Sequence, residues 1–175
     1  MPALIVLWSA FFNICRLRLG PQNLPSSNVL LSLTLFFYAT VGVTLSLVLR
    51  SSVEKAVLSN IVDVGLLVVL TSSLLYVARY PARITQTLTA LAGTNGLLGI
   101  LSFPVLFWLE QTRLNEGDMS LPALLLLGLI VWNFLVYTHI LRHALAVPFF
   151  VGSIFTAIMY FLTFTILNIL FPIAG

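Results

Sequence analysis

The chain has 175 residues, of which 60% are hydrophobic and only 7% charged, with a formal net charge of +3. Soluble domains carry about 45–50% apolar and about 25% charged residues, so this composition excludes an ordinary soluble domain and indicates a polytopic membrane protein. Its basic residues are scattered between apolar runs, as orientation in a bilayer requires, and form no patch for nucleic acid.

Residues 1–19 make a first unit. Ala3–Phe12 is apolar like the core of a signal peptide, but no basic residue precedes it and no small-x-small cleavage site follows. Pro2–Cys15 is too short to cross as a straight helix, which needs roughly 20 apolar residues. Leu4, Trp8, Phe11 and Phe12 fall near helical spacing, and Arg16 and Arg18 close the segment. This predicts a short interfacial helix at the headgroup level; a hydrophobic anchor packed under the bundle is the alternative. The single cysteine, Cys15, cannot form an internal disulfide. Gly20-Pro21-Gln22-Asn23-Leu24-Pro25 then breaks the helix, and Ser26, Ser27 and Asn28 offer caps for the next one.

Residues 20–175 read as a five-helix transmembrane domain, so the expected fold is an all-α polytopic bundle. The spans are Asn28–Leu49, Val57–Ala78, Ile84–Leu109, Leu121–Leu141 and Val147–Ala174. The third is the weakest, polar in its first half and carrying Pro104, but it is long enough to cross with tilt. Glu110–Ser120 reads as the only acidic loop, with Glu110, Glu116 and Asp118 against Arg113. Five spans place Arg16, Arg18, Arg79, Arg83 and Arg142 on one side and Arg50, Lys55 and Arg113 on the other. By the excess of basic residues the first side is cytoplasmic, which puts the N-terminus inside and the C-terminus outside.

Asp63 is the foremost candidate for chemistry, about two turns inside the second span and roughly 10 Å from its outer end. A carboxyl in hydrocarbon costs several kcal/mol unless paired, protonated or wetted, and marks a functional site by default. The bland alternative is a protonated Asp63 hydrogen-bonded to a neighbouring helix, and this structural role is the expectation here, because no second titratable group is read at its depth. Asn60 shares its face, and Asn95, Asn133 and Asn168 complete a possible intramembrane polar site. Ala92, Gly93, Gly96 and Gly99 form a small-residue stripe that predicts close helix packing; an unwound stretch lining a site is the alternative. Thr71, Ser72, Ser73, Thr138, Thr156, Tyr160 and Thr163 read as interhelical hydrogen-bonding groups. Trp8, Trp108, Tyr80 and Tyr137 read as interfacial anchors, and Trp132 as a deeper packing residue. His139 and His143 share a helix face on the leaflet of Cys15, but nothing makes the three converge as zinc ligands. No catalytic triad or nucleotide motif is present, so no enzyme activity, cofactor or metal is expected.

The layout of five spans, a short lead-in and tight turns, with Ala90-Leu91-Ala92-Gly93-Thr94-Asn95-Gly96-Leu97-Leu98, Pro104 and Val131-Trp132-Asn133-Phe134-Leu135-Val136, resembles the Yip (Ypt-interacting protein) domain family over residues 28–174. The long soluble N-terminal region of its eukaryotic members is absent, so their traffic-GTPase role is not implied. Arg-rich, Lys-poor usage fits a bacterial inner-membrane protein. Two functions follow as expectations. The first is a non-enzymatic scaffold or accessory subunit acting through helix packing with itself, as a homo-oligomer, or with a membrane-protein partner. The second is a small transporter or channel subunit that uses Asp63 and the polar residues of the third and fifth spans. A connected polar cavity reaching Asp63 from one face favours the second.

Overall fold

The computed structural model describes residues 2–172, with side chains from Val6 onward. It is all-helical: α1 (Pro2–Cys15), α2 (Asn28–Val48), α3 (Val53–Val77), α4 (Ile84–Leu114), α5 (Ser120–Leu145) and α6 (Phe149–Leu170), with short 3-10 turns at Pro21–Asn23 and Pro81–Arg83. Five of these helices are long and apolar enough to cross a membrane. The protein is therefore an integral-membrane helical bundle.

Local chemistry sets the helix ends. Ser27 Oγ accepts the Leu30 amide at 3.4 Å and starts α2. Ser52 Oγ accepts the Lys55 amide at 3.3 Å and starts α3. These are ordinary N-caps. The second cap opens α3 four residues ahead of the expected Val57, so Asp63 lies ten residues inside the helix, about 15 Å along its axis at 1.5 Å per residue, and not two turns. Helix α4 also runs past its expected end. Glu110 belongs to its last turns and not to a loop, because it is held there by Arg113, one turn on at 3.6 Å, and by Arg50 at 3.5 Å. Pro104 lies inside α4 without ending it, although it leaves the carbonyl of Ile100 without its usual amide partner.

The spanning helices close a ring in the order α2, α4, α5, α6, α3, each packed on the next and α3 back on α2; α3 also touches α4. The antiparallel run puts the two 3-10 turns, Arg79, Arg83 and Arg142 at one end of the bundle, and Arg50, Glu110 and Arg113 at the other. In the Arg-rich half the interior is filled. Leu75, Leu88, Leu91, Val136, Ile140 and Leu141 are buried there, together with Phe11 and Ile14 of α1. Helix α1 lies against α4 and α5. Its Phe11 meets Gly93 and its Trp8 meets Phe37 edge-on with ring centroids 6.2 Å apart. Trp132 Nε1 donates to the Cys15 carbonyl at 3.1 Å.

The small-residue stripe explains the tightest contacts. A Cβ on Gly93 would collide with the Phe11 ring, on Gly96 with the Phe37 ring, and on Gly99 with Val41 Cγ1 at 2.6 Å. Ala92 is fully buried beside them. These positions are small because aromatic and branched side chains of α1 and α2 occupy the space that a larger side chain would need.

Candidate functional site

In the other half the ring is hollow. A cavity of about 340 Å³ is lined by all five spanning helices. Helix α2 supplies Tyr38, Gly42 and Leu45; α3 supplies Asn60, Asp63, Leu67 and Leu70; α4 supplies Asn95, Gly99 and Ser102. Asn133 and Tyr137 come from α5, and Met159, Tyr160 and Thr163 from α6. Leu45 lies three residues before the end of α2, whereas Leu70 and Tyr137 lie against the filled half. The cavity therefore runs from mid-bundle toward the end that carries Arg50 and Glu110. It is not sealed, since Tyr160 on its edge is 37% exposed.

The Asp63 carboxylate accepts a hydrogen bond from Tyr38 Oη across the α2–α3 interface. The two residues meet because each lies ten residues from the α2–α3 turn on antiparallel neighbours. One turn toward that turn, Asn60 Nδ2 donates to Ser46 Oγ at 3.1 Å and to the Ala56 carbonyl at 2.7 Å. Its side chain fills the notch left by Gly42, where a Cβ would collide with Asn60 Oδ1. Opposite, Tyr160 Oη donates to Asn133 Oδ1 at 2.6 Å. Tyr137 Oη approaches Met159 Sδ at 3.7 Å. The Tyr137 and Tyr160 rings meet edge-on with centroids 5.4 Å apart. The lining thus holds one carboxylate, three amides and three phenols, and no basic side chain.

Of the predicted polar site, Asp63, Asn60, Asn95 and Asn133 converge on this cavity, and Asn168 does not. Asn168 Nδ2 donates to the Phe164 carbonyl of its own helix at 2.9 Å, which satisfies it locally. Tyr137 is buried inside the ring and not at an interface, which corrects its reading as an anchor. Tyr38 and Ser102 were not singled out from sequence. The available signal was an i,i+7 relation between Ser102 and Asn95, and the equal depth of Tyr38 and Asp63 across a short turn; neither points inward without the packing.

The other candidate constellation does not assemble. The His139 and His143 rings lie edge-on at 4.6 Å. His139 Nε2 is engaged with the Leu19 carbonyl at 3.1 Å, and no three His, Cys, Asp or Glu side chains converge among the described residues. Burial pushes the Cys15 thiol up to about 11, so it is a packed apolar group more than a nucleophile. No protein-family model, curated protein or solved structure matches the chain.

Proposed function

We propose that the protein binds a small organic cation in the Asp63 cavity and passes it across the membrane, with Asp63 as the counter-charge. The observation that carries this reading is a polar cavity built by all five spanning helices with Asp63 as the one carboxylate in its lining. Its volume of about 340 Å³ lies at the low end of ligand sites, roughly 300–1,000 Å³, and suits an amine-sized solute. Every strong electrostatic feature of the lining favours positive charge. Asp63 supplies a formal anion, the amide carbonyls supply acceptors, and the faces of three tyrosines attract ammonium groups. An unpaired carboxylate at this depth is costly. Asp63 therefore binds either a cation or a proton, and exchange of one for the other couples solute to proton movement.

In this reading the Arg-rich end faces the cytoplasm of a bacterial cell, in keeping with the basic-residue excess, and the cavity faces outward. The scaffold alternative draws less support. The glycines suited to a partner helix are taken up by Phe11, Phe37 and Val41 of the chain itself. The Yip-like layout assigns no role to any residue of the cavity.

The test is flux in reconstituted vesicles. A panel of small primary to quaternary ammonium ions is offered to vesicles holding the protein, with a pH gradient as the driving force. Transport by the parent and its loss in a well-folded Asp63→Asn variant is the expected result. A folded parent that moves none of them, together with a co-purifying membrane protein in mild detergent, overturns it in favour of the scaffold.

A further inference from the structure

At the Arg-rich end a second cavity of about 440 Å³ opens between the two 3-10 turns, the start of α4, the C-terminus of α5 and the turn that follows it. Its polar lining is Gln22, Arg83, Gln86, Thr87, Arg142 and His143. It contains two guanidinium groups and no carboxylate. Nor is there one nearby in sequence: the segments at this end carry Arg16, Arg18, Arg79, Arg83 and Arg142 and no Asp or Glu. The ion pairs among the described residues lie at the opposite end.

The two arginines are positioned by the fold. Arg83 stacks over the Tyr80 ring at 4.5 Å, and its Nη1 donates to the His143 and Ala144 carbonyls at 3.3 and 2.8 Å. This anchors the guanidinium at the end of α5, where the helix dipole favours a cation, and leaves its other donors free. Arg142 approaches His143 Nε2 through Nη2 at 3.3 Å. Its Nε is buried without a hydrogen-bond partner. A buried unpaired donor is uncommon in folded proteins and is costly. Gly152 of α6 approaches the Arg142 backbone closely, with Thr138 O only 3.2 Å from a would-be Cβ, so α6 packs tightly on the turn of α5 that carries Arg142.

We propose that this cavity is a binding site for a phosphate group, held between Arg83 and Arg142 with Gln86 and His143 as further hydrogen-bonding groups. Guanidinium forks match phosphate oxygens in pairs. A phosphate here would offset part of the positive charge at an end of the bundle that holds five arginines. The phosphate comes either from an anionic lipid headgroup of the surrounding leaflet or from a free phosphorylated solute. This site is distinct from the Asp63 cavity and stands whether or not that cavity transports.

The full chain is purified in mild detergent and tested with two probes, phosphatidylglycerol in mixed micelles and inorganic phosphate. Phosphatidylcholine and chloride serve as their controls. Native mass spectrometry reads the adducts, and thermal unfolding reads stabilisation. The expected result is retention of one probe by the parent with a raised unfolding midpoint, at least tenfold weaker binding in Arg142→Gln, and unchanged binding in Arg79→Gln. Arg79 shares the Arg-rich end but lies outside the cavity. Retention of phosphatidylglycerol alone identifies a lipid headgroup site, and retention of inorganic phosphate identifies a solute site. If Arg142→Gln does not fold, Arg142→Lys is used, which keeps the charge but loses the fork and should still weaken binding. Binding of neither probe by the folded parent, or equal weakening by Arg79→Gln and the Arg142 variant, overturns the site.

Discussion

At the residue scale the molecule turns on Asp63 and its partner. Tyr38→Phe removes the hydrogen bond and leaves the ring in place. Interhelical hydrogen bonds in membranes average about 0.6 kcal/mol, so detergent unfolding should move by no more than a degree or two. Any solute binding, by contrast, should change measurably, because the carboxylate loses the donor that orients it. Asp63→Leu strands the Tyr38 hydroxyl and should cost about 1–2 kcal/mol, more than Asp63→Asn, which still hydrogen-bonds. Equal unfolding midpoints for the Leu and Asn variants would remove the interhelical bond as a structural contributor. Cys15 gives an independent check on packing. With its thiol pushed up by burial, little of it is thiolate at pH 8. Maleimide should label it far more slowly than an exposed cysteine, with full labelling restored on denaturation. Rapid labelling of the folded protein would place Cys15 outside the core.

At the element scale, α4 is the organising helix. It packs on α1, α2 and α5, and its small residues are what allow this. Gly96→Leu must displace the Phe37 ring, and Gly93→Leu the Phe11 ring. Overpacking in a filled interior costs about 1–3 kcal/mol, so both variants should unfold at clearly lower temperature. Gly128 and Gly65 have no atom within 4 Å of a would-be Cβ, so leucine there should leave the midpoint nearly unchanged. A uniform response at all four glycines would mean that helix propensity, and not interhelical contact, governs these sites. The Arg50–Glu110–Arg113 cluster makes a contrasting case. Glu110 is 8% exposed, but both arginines reach into water, and such pairs are worth at most about 1 kcal/mol. Glu110→Gln should therefore change stability little, and less in high salt than in low.

At the scale of the whole molecule, the ring has a filled half and a hollow half, and its charges follow the same division. One end carries arginines without acids. The other mixes Arg50, Lys55 and Arg113 with Glu54, Glu110, Glu116 and Asp118. Basic residues are retained on the cytoplasmic side during insertion, so single cysteines at Glu116 and at Arg79 should react with an impermeant reagent from opposite sides of sealed vesicles. The Glu116 position should be the one outside. Labelling of Glu116 only from the cytoplasmic side would reverse the assignment and turn the hollow half inward.

Length and hydropathy alone determined the class and the number of spans, because a bilayer imposes a minimum apolar length that can be counted residue by residue. Asp63 was legible for the same reason: a carboxyl in an apolar run is conspicuous. Its surroundings were not. Tyr38, Tyr137 and Ser102 are ordinary in composition and become part of a site only because five helices close a ring that turns them inward. In lipid, apolar periodicity does not separate the interior of a bundle from its exterior, since both are apolar. The inward faces of α2, α3 and α6 therefore carried no mark, and Asn168 looked as suitable as Asn133. The packing of α1 was not legible either, because Phe11 and Gly93 fit together only in three dimensions. The pairing of Arg83 with Arg142 around one cavity was likewise decided by tertiary structure: the residues are far apart in the chain, and only the return of α5 to the start of α4 brings their charges together.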